Sequence, residues 1–202
     1  KETLNALEFF KSIGVGFRSV NTVVLPDNIG ELPELKKIIM NSGANFWRFA
    51  MPIPVGRAKD NEKMHLTNDQ IKYLFDFVEE TNKEFDVEIT EDAGYLGCLS
   101  MKLRQRPFFC GAGFTRVSIM PDGEVFGCQI SYDNKFSEGN IRNKSFKEMW
   151  QNGFLRFRDP QFDKELDKEC LDCEHFNSCH GGCYGMRLGN KHCYKEVWGK
   201  KC

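Results

Sequence analysis

Between Cys170 and Cys183 the chain reads CLDCEHFNSCHGGC, four cysteines in the spacing C-x2-C-x5-C-x3-C. Thiolates this close in sequence can converge on one ion or cluster without a folded core to position them, and the paired glycines Gly181 and Gly182 let backbone approach the bound group. Soft sulfur donors suit zinc or iron-sulfur, and the spacing alone does not separate the two. Four thiolates already satisfy a tetrahedral site, so His175 and His180 inside the loop read as solvated or as hydrogen-bond donors to ligands. His65 and His192 carry no pattern and read as surface residues.

The remaining cysteines extend the constellation. Cys110, twelve residues, Gly123, four residues and Cys128 precede the loop; Cys193 and Cys202 follow it. Nine cysteines could form a secreted disulfide framework, but the count is odd, the first 97 residues contain none, and eight fall after residue 109 in metal-like spacings. Metal or cluster ligation in a reducing, cytoplasmic compartment is the expectation.

The elements that must position these sulfurs follow from periodicity. Leu4, Leu7, Phe10 and Ile13 mark an amphipathic helix stopped at Gly14, and GFRSVNTVVL, residues 16 to 25, is a β-rich run ended by Pro26. A helix over 29–41, a strand over 44–51, and a helix from 68 to about 83 capped by Thr67 come next. DVEIT, residues 86 to 90, is a candidate short strand. This alternation predicts an α/β unit with parallel strands, and so few strands imply a larger sheet with further strands upstream. Thr115 to Met120, the turn Pro121-Asp122-Gly123, and Glu124 to Cys128 predict a hairpin with a cysteine at each foot. One helix is expected over 141–157, capped by Ser145. The domain boundary falls at 93/94. With 28 basic and 29 acidic residues the net charge is -1, which offers no footprint for nucleic acid, and no apolar run is long enough to span a bilayer.

The seven-cysteine spacing resembles the SPASM extension of radical S-adenosylmethionine enzymes, C-x(9-15)-G-x4-C, a gap, C-x2-C-x5-C-x3-C, a gap, and a final cysteine. Gly139-Asn140-Ile141 and Phe146-Lys147-Glu148-Met149-Trp150 look like the family's connecting segment, and Pro54-Val55-Gly56-Arg57-Ala58 looks like the end of its barrel. The resemblance implies an α/β chain: the C-terminal portion of a partial (β/α)6 TIM-like barrel over residues 1–93, then a small cysteine-rich α+β SPASM domain with a β-hairpin over 94–202. Carried over residue by residue, it assigns Cys110, Cys128 and Cys183 to a first auxiliary 4Fe-4S cluster, with Cys98 as the fourth ligand or an open iron in its place. It assigns Cys170, Cys173, Cys179 and a late cysteine to a second, with Cys202 preferred to Cys193 because the family leaves a gap after the loop. Asn21 and Thr22 match positions that relatives place near the adenosine of the cofactor, where a polar position facing a strand end explains them about as well; Arg48 and Arg57, after the second strand, suit bidentate hydrogen bonds to the cofactor carboxylate or to a peptide substrate, and solvation explains them about as well.

The family cleaves S-adenosylmethionine at a third 4Fe-4S cluster held by C-x3-C-x2-C, and this chain has no such motif. The resemblance therefore implies the cluster-bearing part of an enzyme that modifies a peptide or protein, served by an electron donor such as a flavodoxin or ferredoxin and by a missing N-terminal half. The competing reading is a non-catalytic iron-sulfur or zinc module for electron transfer or peptide binding. The aromatics Phe108, Phe109, Phe114, Trp150, Phe154 and Phe157 are expected to pack a small core around the metal sites.

Overall fold

The computed structural model describes residues 1–130, 133–159, 162–163, 166, 168–189 and 193–199. Three parallel strands, β1 (Ser19–Val23), β2 (Phe46–Ala50) and β3 (Val87–Ile89), lie in that order. They alternate with α1 (Glu2–Ser12), α2 (Leu32–Met40) and α3 (Asn68–Thr81). The expected α/β unit is present, and DVEIT does supply the third strand.

Local chemistry sets the boundaries. Thr67 accepts a hydrogen bond from Gln70 N–H while the Gln70 side chain accepts from Thr67 N–H, a reciprocal cap that starts α3. Gly14, at φ +79°, follows the end of α1. On α3, Ile71, Leu74, Phe75 and Val78 share a buried stripe, as their spacing predicts.

The period-two alternation of the strands divides the sheet into two faces. Trp47, Phe49, Val87 and Ile89 are fully buried in the main core. Asn21, Arg48 and Glu88 are register neighbours and form a polar row across the other face.

The main core continues past residue 93 through Leu96, Leu99 and Leu103, and takes in Val197 and Trp198 from the far end of the chain. Those two lie on α10 (Lys195–Trp198), which packs on α3. The two regions therefore interlock rather than meeting at a single point in sequence.

The second region begins after α4 (Ser100–Leu103). Its hairpin, β4 (Ser118–Ile119) and β5 (Glu124–Phe126), has the expected turn, with Gly123 at φ +94° donating its N–H to Met120 O at 2.8 Å. A third strand, β6 (Ser137–Asn140), pairs antiparallel with β5. The single helix expected over 141–157 is instead two: α5 (Phe146–Asn152) ends at Gly153, and Phe154 turns left-handed at φ +62° before α6 (Leu155–Arg158). Ser145 precedes α5 as expected but makes no side-chain cap. Short helices α7 (Lys168–Leu171), α8 (Phe176–Cys179) and α9 (Tyr184–Leu188) carry the cysteine loop.

Candidate metal centre

A cavity of about 770 Å3 opens between the two regions. Val23, Arg48, Ala50, Glu88 and Thr90 from the C-terminal ends of the parallel strands line one side, and Cys110, Cys128 and Cys183 line the other. In open α/β sheets this end of the strands is where ligands bind. Cys110 and Cys128 stand at the feet of the hairpin, and Cys183 takes the position before α9. The loop thus sends its last cysteine to the hairpin pair.

Burial pushes the Cys183 thiol up to about 12, and the neighbouring Cys110 and Cys128 push in the same direction. Hydrogen bonds from Met186 and Gly185 N–H act against them. Burial thus favours the neutral thiol, and a bound metal group would be what stabilises the thiolate form here.

A second group forms around Cys179. Its thiol is pushed up to about 11, chiefly by burial, then by Cys193, with Cys173 adding less. Gly181 and Gly182 N–H groups donate to Cys179, which their φ values of +74° and +71° allow. Cys173 N–H donates to Cys170 O at 3.2 Å, a one-turn separation. Cys193 is thus near enough to Cys179 to act on its thiol; Cys202, the late ligand that the resemblance preferred, lies outside the described residues. Cys98, the expected fourth ligand of the first group, does not line the cavity, and its sulfur is disulfide-bonded.

The carbonyl side of the glycine pair is held by Arg187. Its Nη1 donates to Gly181 O at 2.8 Å, and its Nη2 pairs with Asp163, both side chains being buried. His175 and His180 pack against aromatic rings, His175 at 5.1 Å from Trp198 and His180 at 5.9 Å from Phe176. Among the described residues no three Cys, His, Asp or Glu side chains close up as a single ion requires. A four-iron cluster would bind each thiolate to a different iron and space them farther apart than one zinc ion does.

The cavity wall opposite the sulfurs is ionic. Arg48 Nε donates to Glu88 at 2.7 Å, Arg106 reaches Glu88 at 3.4 Å and Glu91 at 3.7 Å, and Glu91 pairs with Arg116. Of the four residues expected near the cofactor, Arg48 lines the cavity and Asn21 shares its sheet face. Thr22 accepts from Trp47 Nε1 at 2.8 Å instead, and Arg57 is exposed outside the cavity. Sequence reasoning missed Glu88, Glu91, Arg106, Arg116 and Arg187; only Glu88, a charge inside an apolar strand, carried a local signal.

Residues 110–174 match the model of SPASM, the iron-sulfur cluster-binding domain. The chain is similar to radical S-adenosylmethionine enzymes that carry this domain. It is 28% identical over 196 residues to the mycofactocin maturase MftC of Mycobacterium ulcerans, covering 92% of this chain and 50% of that protein. It is 24% identical over 206 residues to the AdoMet-dependent heme synthase of Nitratidesulfovibrio vulgaris, over 91% of this chain and 53% of that protein. Native anSMEcpe with bound AdoMet and the Cp18Cys peptide has the same fold, with a TM-score of 0.63 at 23% identity over 98% of this chain and 59% of that one. The chain spans about half the length of these relatives.

Proposed function

We propose that this chain is the auxiliary-cluster-bearing C-terminal part of a radical S-adenosylmethionine/SPASM enzyme that modifies a peptide or protein. The observation that carries the proposal is the gathering of Cys110, Cys128 and Cys183 on one wall of a cavity whose other wall is the ligand-binding end of a parallel sheet. Cys110, Cys128 and Cys183 hold a first 4Fe-4S cluster with one iron left to an exchangeable ligand; Cys170, Cys173, Cys179 and Cys193 hold a second. When bound, such clusters accept or pass an electron, at potentials set by ligation, hydrogen bonding and burial. The chain's own residues supply the rest. Gly181, Gly182, Gly185 and Met186 N–H groups stabilise thiolate charge. Arg48, fixed by Glu88, presents a guanidinium to a carboxylate in the cavity.

A peptide substrate is favoured by the open cavity between the regions and by the peptide held in the anSMEcpe structure of the same fold. Cleavage of S-adenosylmethionine needs the C-x3-C-x2-C site and is assigned outside these residues. Anaerobic reconstitution followed by iron, sulfide and zinc analysis tests the reading. About eight irons with matching sulfide are expected, and two zincs without sulfide would defeat it.

A further inference from the structure

We propose that Arg116 is a charge-tuning residue of the first cluster site: pinned by Glu91 beside Cys110, its guanidinium raises the reduction potential of the group that Cys110, Cys128 and Cys183 hold. The inference rests on the cluster reading above and adds to it a residue outside the seven-cysteine pattern.

The backbone around Cys110 folds to bring Arg116 back. The N–H groups of Phe114, Thr115 and Arg116 all point to Gly111 O, at 3.1, 2.9 and 3.1 Å, and Gly113 N–H donates to Arg116 O at 3.0 Å. This compact turn lays the arginine over Gly111, the residue after Cys110. A Cβ built on Gly111 would stand 3.0 Å from Arg116 Nε and 2.5 Å from Thr115 Oγ1, so glycine is what permits the approach. Arg116 lines the cavity together with all three cysteines.

From the other side, Glu91 follows β3 and pairs with Arg116. The pair ends a chain of charges, Arg48, Glu88, Arg106, Glu91 and Arg116, that crosses the cavity wall from the sheet to the hairpin. The Arg116 guanidinium is held above its usual range, first by its hydrogen bond to Glu91 and, more weakly, by the Cys110 and Cys128 thiolates. One-electron reduction adds a negative charge to the cluster. A cation within a few ångströms stabilises that reduced form and a carboxylate opposes it, so Arg116 and Glu91 act with opposite sign. Because the Arg116 side chain is 60% exposed, screening limits the effect to about threefold in the reduced-to-oxidised ratio, or ~30 mV for a one-electron couple.

The test is a dithionite titration of the anaerobically reconstituted chain, followed by electron paramagnetic resonance. The signal lost in Cys110→Ala identifies the first site. Arg116→Gln is expected to make that signal about threefold harder to reduce at a fixed potential, Arg116→Lys to restore most of the shift, and Glu91→Gln to move it the opposite way, with iron content equal in all. An unmoved potential in Arg116→Gln and Glu91→Gln, or shifts of the same sign in both, would overturn the inference while leaving the clusters in place. If Arg116→Gln loses iron, Glu91→Gln decides: a potential that fails to rise overturns the inference. An unsubstituted chain without iron and sulfide would overturn both this inference and the function on which it rests.

Discussion

At the scale of single residues, the proposed division of the cysteine loop between two sites predicts which losses travel together. Cys183 lines the cavity with Cys110 and Cys128, whereas Cys193 and Cys173 act on the Cys179 thiol. Cys183→Ala should therefore abolish the same spectroscopic signal as Cys110→Ala and leave the other intact. If it removed the Cys179 signal instead, the loop would be one site after all. By the same geometry, Cys193→Ala should cost about four irons per chain, measured with sulfide after reconstitution. Full retention of iron would return that ligand role to a residue beyond those described. The cysteines were legible because their spacing is local. Arg116 with Glu91 and Arg187 with Asp163 were not, since the partners are separated by 25 and 24 residues and each charge alone looks like an ordinary solvated side chain.

Among the elements, legibility followed the same rule. The α3 cap, the Pro121-Asp122-Gly123 turn and the buried stripe of α3 are written in neighbouring residues. Strand β6 is not: Ser-Glu-Gly-Asn has no apolar alternation, and its pairing with β5 comes from backbone and from the Glu124 side chain, which accepts from Asn140 Nδ2 at 3.0 Å. Nor is the break at Phe154, whose fully buried ring holds a left-handed backbone that its residue type disfavours. Among the described residues the buried clusters of the second region contain three residues each, Val125, Met149 and Phe154, then Phe126, Phe136 and Tyr184, against twenty-one in the main core. With so little apolar burial, the fold of this region would depend on the metal groups proposed for it. Removing iron with a chelator should erase amide-exchange protection across β5, β6 and α9 while β2 and α3 stay protected; uniform protection in the apo chain would refute this. The joint between the regions can be probed separately. Gly97, at φ +55°, faces the Trp198 ring, which would lie 2.5 Å from a Cβ there. Gly97→Ala should destabilise the chain by about 1–3 kcal/mol in denaturant unfolding.

Over the whole molecule, apolar side chains lie exposed on α1 and beside β1. Strand β1 is an edge of the sheet, with only β2 beside it. Next to it Phe17 is 63% exposed, and on α1 Phe9 and Ile13 are 57% and 59% exposed. The stripe that marked α1 as amphipathic therefore buries only Leu7. An unpaired parallel edge flanked by bare aromatic side chains is a template for another strand and another apolar surface. Nothing in the described residues covers it; the further strands that the alternation implies would do so in a longer protein, and in the isolated 202-residue chain copies should cover one another instead. The 202-residue chain, with its clusters loaded, should form concentration-dependent oligomers by light scattering. Phe9→Glu combined with Ile13→Lys should shift it toward monomer without changing iron content, since neither residue approaches the cysteine sites. A chain that stays monomeric at high concentration would show that this face is tolerated in water. Oligomers untouched by the double substitution would place the contact elsewhere, on the β1 edge itself, where Val23→Pro becomes the discriminating variant because proline removes a strand N–H without adding charge.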